Sequence, residues 1–238
     1  MHPNPIRLRA PSVVIAASLL GLVPAALGQP AIYSNGNTDP NAPGLATGAL
    51  TGSGAAAPLG AQWSEAASDG AASANAVGGF SSHASGTTGA FRFADDFTVT
   101  AQGGWQLLSV SLYAYQSGAG VSVSPFSGVN VRIWNGRPGD AFSSVVFGDT
   151  TTNRMVASTF TDTYRVFSTT VAPAAPADTT RAIWQTEVNL DSTVLLPGTY
   201  WLDWQYTTVN PNTEAFTPPV TVPGSRTLAG WNARQLKL

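Results

Sequence analysis

Five stretches of this chain alternate apolar and polar residues with a period of two, and that pattern restricts the fold more than any other feature. In "FRFADDFTV", Phe91, Phe93, Phe97 and Val99 fall on one side. "QLLSVSLYAY" sets Leu108, Val110, Leu112 and Ala114 against Ser109, Ser111, Tyr113 and Tyr115. "GVNVRIWNG" sets Val129, Val131 and Ile133 against Asn130, Arg132 and Trp134. "AIWQTEVNLD" sets Ala182, Trp184, Val188 and Leu190 against Gln185, Glu187 and Asn189. In "GTYWLDWQY", Tyr200, Leu202, Trp204 and Tyr206 oppose Thr199, Trp201, Asp203 and Gln205. Successive side chains of a strand point to opposite faces, so each run reads as a half-buried antiparallel strand.

Turn formers mark the joints: Asn135-Gly136 and Pro138-Gly139 in "WNGRPGD", then "FGDTTTN" and "LPGT". Many short strands punctuated this way predict an all-β chain, an antiparallel β-sandwich of jelly-roll-like type. No internal repeat is visible, which argues against a propeller. Residues 37–90 are rich in Gly, Ala and Ser, with Trp63 as their one large anchor. The spacing predicts a short strand at "AIYSNG" (Ala31 to Gly36), then mostly loop with one or two short strands. The expected organisation is therefore a leader over 1–28, a Gly/Ala/Ser-rich N-terminal segment over 29–90 and a sandwich core over 91–238.

The leader is read from three features. Arg7 and Arg9 form a positive start, Val13 to Leu27 is a mostly apolar run, and "ALG" (Ala26, Leu27, Gly28) supplies the small-x-small cleavage pattern. Cleavage is expected between Gly28 and Gln29, giving a secreted or periplasmic chain with no membrane span once matured. The balance of 11 basic and 13 acidic residues leaves no basic stripe, so nucleic acid is not an expected partner. Charged residues are 10% of the chain, against roughly 25% in ordinary soluble domains. Gly, Ser, Thr and Ala take their place, as suits a neutral, hydroxyl-rich extracellular surface. With no cysteine, the chain offers neither disulfides nor thiolate chemistry.

Together, "FADDFTV", "GGWQLLSVSLYAY", "VNVRIWNGRPGD", "VVFGDTTTNR", "TYRVFSTT" and "LPGTYWLDWQ" resemble a recurrent domain of secreted bacterial proteins that has no assigned activity. Some of its members carry a C-terminal PEP-CTERM sorting tail. The resemblance extends over residues 31–238 and implies an exported β-sandwich without an established site. Two departures stand out. The chain ends at "GWNARQLKL" where the family pattern continues into a final strand, so a truncated C-terminus is expected. It also lacks the sorting tail of Pro-Glu-Pro, apolar helix and arginine cluster, so sortase-like anchoring is not expected.

Several chemistries have thin support. A Ser-His-Asp arrangement needs a histidine base. After the leader there is one, His83, in "GGFSSHASG", where a solvated loop residue is expected; there is no G-x-S-x-G elbow. Glycoside hydrolysis needs two carboxylates. Glu65, Glu187 and Glu214 are the only glutamates, and Asp203, between Trp201 and Trp204, is the better placed acid, with no partner identified. A secreted glycosidase-like hydrolase using Asp203 or a glutamate is thus the alternative to a non-enzymatic module. Asp95 and Asp96 are weak candidates for structural calcium. On a regular strand they point to opposite faces and fall short of the six to eight oxygens the ion requires, so no cofactor is expected.

One combination does point to a ligand. Trp201, Asp203, Gln205, Trp134, Arg132, Tyr113 and Tyr115 all fall on the non-core sides of their strands. Rings beside carboxylate, amide and guanidinium groups suit a polysaccharide or another cell-surface polymer, because rings stack on apolar sugar faces while polar groups meet hydroxyls. The competing expectation is that the Pro-rich loop from Asn210 to Gly224 covers this side, leaving Arg132 and Asp203 as an ion pair.

Overall fold

The computed structural model describes residues 13–18 (backbone only), 31–34, 44–66, 78–170, 172, 174–219 and 233–238. Thirteen strands form, and no helix occurs among the described residues. They are β1 (Val13–Ser18), β2 (Ala31–Ser34), β3 (Gln62–Glu65), β4 (Phe80–Ser81), β5 (Phe91–Val99), β6 (Trp105–Tyr115) and β7 (Phe126–Trp134). There follow β8 (Val145–Gly148), β9 (Met155–Val166), β10 (Ala182–Leu195), β11 (Gly198–Thr208), β12 (Phe216–Thr217) and β13 (Arg234–Lys237).

Two sheets result. One runs β2-β1-β6-β10-β9-β3, with β12 and β4 attached beside β6; the other runs β13-β5-β11-β7-β8. All pairings are antiparallel except β3 with β9. The core lies between the sheets, as in a sandwich. Phe93, Phe97, Val131, Ile133, Leu202, Trp204 and Tyr206 meet Leu107, Val110, Leu112, Trp184, Val188 and Trp63 there. Tyr206 and Thr186 also share a hydroxyl–hydroxyl hydrogen bond of 2.9 Å across the gap.

The alternation places the strands well, with one local exception. Leu107, not Leu108, is fully buried in β6. The pairing of β6 with β10 jumps from Ser109↔Asn189 to Leu107↔Thr193, and Asp191 and Ser192 of β10 have positive φ (53° and 58°). Against β1 the register steps from Ala16↔Ser109 to Ala17↔Leu107, so Leu108 is an extra residue in β6, and this bulge exchanges the faces of the two leucines. Strand β9 did not show as an alternating run, because Asp162, also at positive φ, interrupts its "STFTDT" stretch.

The segment over residues 29–90 carries the short strand at Ala31 and two more short strands. It supplies β2, β3 and β4 to the larger sheet, and Trp63 is buried in the core. The last residues, in "ARQLK", form β13 on the open edge of β5. The expected cleavage boundary, with Arg7, Arg9 and Ala26 to Gln29, lies outside the described residues. Val13–Ser18, the described part of the apolar run, pairs between β2 and β6. Among the described residues no helix is long and apolar enough to cross a membrane.

Candidate functional site

The outward face of the smaller sheet is built by direct register. Trp201, Asp203 and Gln205 of β11 lie opposite Trp134, Arg132 and Asn130 of β7. On the other flank, Asp203 pairs with Ala94 and Trp201 with Asp96 of β5. Five of the seven sequence-derived residues are thus neighbours. The other two are not: Tyr113 and Tyr115 lie on β6, in the opposite sheet. They are buried there in a separate cluster with Leu45 and Ile183, and Phe216 stacks on Tyr115. Both tyrosines do point away from the core of their own strand, as alternation requires. That face belongs to the other side of the molecule.

Asp203 is the centre of the assembled group. Its Oδ1 accepts from Arg92 Nε at 2.6 Å. Its Oδ2 accepts from Arg132 Nε at 2.8 Å and from the Trp134 indole N–H at 3.1 Å. Arg92 Nη1 donates to Asn130 Oδ1 at 2.5 Å and to Gln205 Oε1 at 3.3 Å, while Gln205 Nε2 donates to the Phe91 carbonyl at 3.1 Å. Arg92 Nη2 is buried without a hydrogen-bond partner. Burial pulls the Arg92 guanidinium below its ordinary pKa; Asp203 opposes this, and the nearby Arg132 adds to it.

Access to this cluster is narrow. The Arg92 and Asp203 side chains are each 3% exposed, and Trp201, Gln205 and Asn130 are buried too. Arg132 is 20% exposed, with its guanidinium carbon 4.7 Å from the centroid of the half-buried Trp134 ring. A ligand can therefore meet the Arg132–Trp134 rim, while the groups beneath hold that rim in place. Arg92 was missed in the sequence, although its place between Phe91 and Phe93 already sets it on the outward face.

Residues 215–217 of the Pro-rich loop join the larger sheet and not this face. Ala215 is buried in the core and Phe216 pairs with β4 and β6 of the larger sheet. Arg132 and Asp203 are nonetheless the ion pair that the competing expectation named, with Nη2 and Oδ2 2.5 Å apart.

The other candidates are dispersed. His83 is not a solvated loop residue but is fully buried, edge-on to Phe91 and Phe216. Its Nδ1 lies 3.2 Å from the Ala215 carbonyl oxygen, and Nε2 has no hydrogen-bond partner. Glu65 is buried and accepts from the backbone N–H groups of Gly52 (2.6 Å) and Thr169 (2.7 Å). Glu214 takes the hydroxyls of Thr87 and Thr88, and the Thr88 bond chiefly holds its carboxyl below the usual range. Glu187 is exposed on β10. Asp95 is buried on the inward side of β5, and Asp96 is half-buried on the outward side. No group of three or more His, Asp or Glu side chains gathers among the described residues.

The fold and this face together define an all-β, sandwich-like protein carrying a buried Arg–Asp–Arg cluster under an aromatic rim. No family model, curated protein or solved structure matches the chain.

Proposed function

We propose that the chain is a secreted, non-enzymatic extracellular or cell-envelope module, with a sandwich of jelly-roll type, that contacts a polysaccharide or similar surface polymer through the Arg132–Trp134 rim. The observation that carries this reading is the partly exposed cation–π pair on a hydrogen-bonded, buried base. Two guanidiniums and an indole N–H converge on one carboxylate, so the rim is held ready for a ligand at little ordering cost. The leader-like N-terminus, the sparse charge and the resemblance to exported domains support the location.

The hydrolase alternative has less support. Both oxygens of Asp203 are already occupied by donors, and its side chain is almost fully buried, so it has no free oxygen for a substrate. Glu65 is enclosed by its own hydrogen bonds as well.

The test is affinity electrophoresis against a panel of soluble polysaccharides, with chromogenic glycosides assayed in parallel. The wild-type chain is expected to be retarded by at least one neutral or acidic polymer. Trp134→Ala should abolish that retardation while the chain still unfolds cooperatively, its thermal midpoint lowered because a half-buried indole and its bond to Asp203 are lost. Absence of retardation by every polymer, or retention of it in Trp134→Ala, would overturn the proposed site. Glycoside turnover would favour the hydrolase.

A further inference from the structure

The segment expected to leave as part of the export leader is also a strand inside the larger sheet. Val13–Ser18 pairs antiparallel with β6 on one side, from Val13↔Leu112 to Ser18↔Gln106. On the other side it pairs antiparallel with β2, from Val14↔Ser34 to Ala16↔Ala31. Cleavage after Gly28 would withdraw this strand from between two partners and leave both with open backbone groups.

Strand β2 has its own attachment to the core. Tyr33 is tilted against Phe97 and Trp105, its hydroxyl donates to the Asp96 carbonyl at 3.4 Å, and Ile32 packs on the core. Moving β2 into the vacated place would break these contacts. Neighbouring strands lie about 4.8 Å apart, so an anchored β2 would stand some two spacings, about 10 Å, from β6. That gap is one strand wide.

The chemistry of the gap favours an incoming strand. β6 carries no Asp, Glu, Lys or Arg along "WQLLSVSLYAY", so it lacks the charges that commonly protect sheet edges. Opposite its buried Leu112, Val110 and Leu107, the register places Val13, Ile15 and Ala17. A complementary strand would therefore carry branched or small apolar residues at alternate positions.

We infer that leader removal turns the β6 edge into an acceptor for an extended strand from another polypeptide. That strand enters antiparallel to β6, with apolar residues opposite Leu112, Val110 and Leu107. Recognition is by strand addition: backbone hydrogen bonds supply affinity and alternate side chains supply selectivity. The inference rests on the export reading above and is independent of the polymer-binding rim.

The test uses the exported chain itself. Its N-terminal sequence is determined first, and backbone amide exchange is then followed across β6 with and without a synthetic peptide of residues 11–20, PSVVIAASLL. Expected are a start at Gln29 and rapid exchange for β6 amides between Gln106 and Leu112 that are not bonded to β10. Peptide at about ten times its dissociation constant should slow those amides roughly tenfold, while a peptide carrying Ile15→Lys leaves them fast. A chain that starts at Gln29 but shows no peptide effect overturns the acceptor alone. So does one whose β6 amides are already slow, whether as a monomer closed by β2 or as a dimer closed by a second copy. An exported chain that retains residues 13–18 overturns the leader reading, and the acceptor with it.

Discussion

Replacing Asp203 by alanine is the most direct probe of the buried cluster. The substitution removes the acceptor of Arg92 Nε, Arg132 Nε and the Trp134 indole N–H together. An exposed ion pair contributes about 0–1 kcal/mol, whereas removing one partner of a buried pair costs about 3–5 kcal/mol. Here the second regime applies, because the Arg92 and Asp203 side chains are each 3% exposed and the orphaned guanidinium has no route to water. Arg132, at 20% exposure, can turn outward and adds little to the loss. The expected cost is therefore about 3–5 kcal/mol, a fall in thermal midpoint of roughly 6–20 °C for a chain of this size. Urea unfolding followed by tryptophan fluorescence measures it. A double variant, Arg92→Met with Asp203→Leu, should recover a large part of the loss, since it removes both charges at once. A cost below about 1 kcal/mol for Asp203→Ala, or strictly additive losses in the cycle, would refute the view that this is a buried, coupled pair.

Two further outcomes follow from burial. Trp204→Ala and Trp201→Ala should both be severe, about 3–5 kcal/mol each by urea unfolding, because the residues are 0% and 5% exposed on opposite faces of β11; a loss under about 1 kcal/mol at Trp201 would mean that the outward face is open. Burial also raises the pKa of Tyr33, Tyr113, Tyr115 and Tyr206, that of Tyr113 to about 12. The unfolded phenol titrates near 10, so this stabilisation is complete below about pH 10 and falls by about 1.4 kcal/mol per group per pH unit as pH rises toward 12. Absorbance at 295 nm should therefore show these four of the six tyrosines ionising only as the near-UV dichroism is lost; more than two phenolates formed per chain near pH 10 in the native fold would contradict it.

The sequence revealed which side of each strand faces the core, because alternation is a local property. It could not say which sheet a strand joins. Tyr113 and Trp201 look equivalent by pattern, yet they stand on opposite sides of the molecule. The exchanged roles of Leu107 and Leu108 arise from a bulge at Leu108 that shows in the pairing of β6 with the distant β1, beyond any local window. His83 looked solvated amid glycine and serine, but its surroundings come from Ala215 and Phe216, more than 130 residues away. Within the site, Asp203, Arg132, Trp134 and Gln205 were legible because β7 and β11 are both regular where they pair. The enclosure of Asp203 and Gln205 was not, since both are bonded by Arg92 from β5, a strand more than 100 residues away in sequence.

The pairing order also has a consequence in time. β5 must wait for β11, joined at Phe97↔Tyr200, and β6 for β10, joined at Leu112↔Thr186. Neither sheet can close until the chain is nearly complete, and ladders this distant in sequence form slowly because loop closure precedes any reward from contact. A polypeptide wired in this way lacks its native sheet pairings while its early part emerges, and its apolar strand faces stay without their partners for that time. The distant pairings that later hold the two layers together thus also delay their assembly.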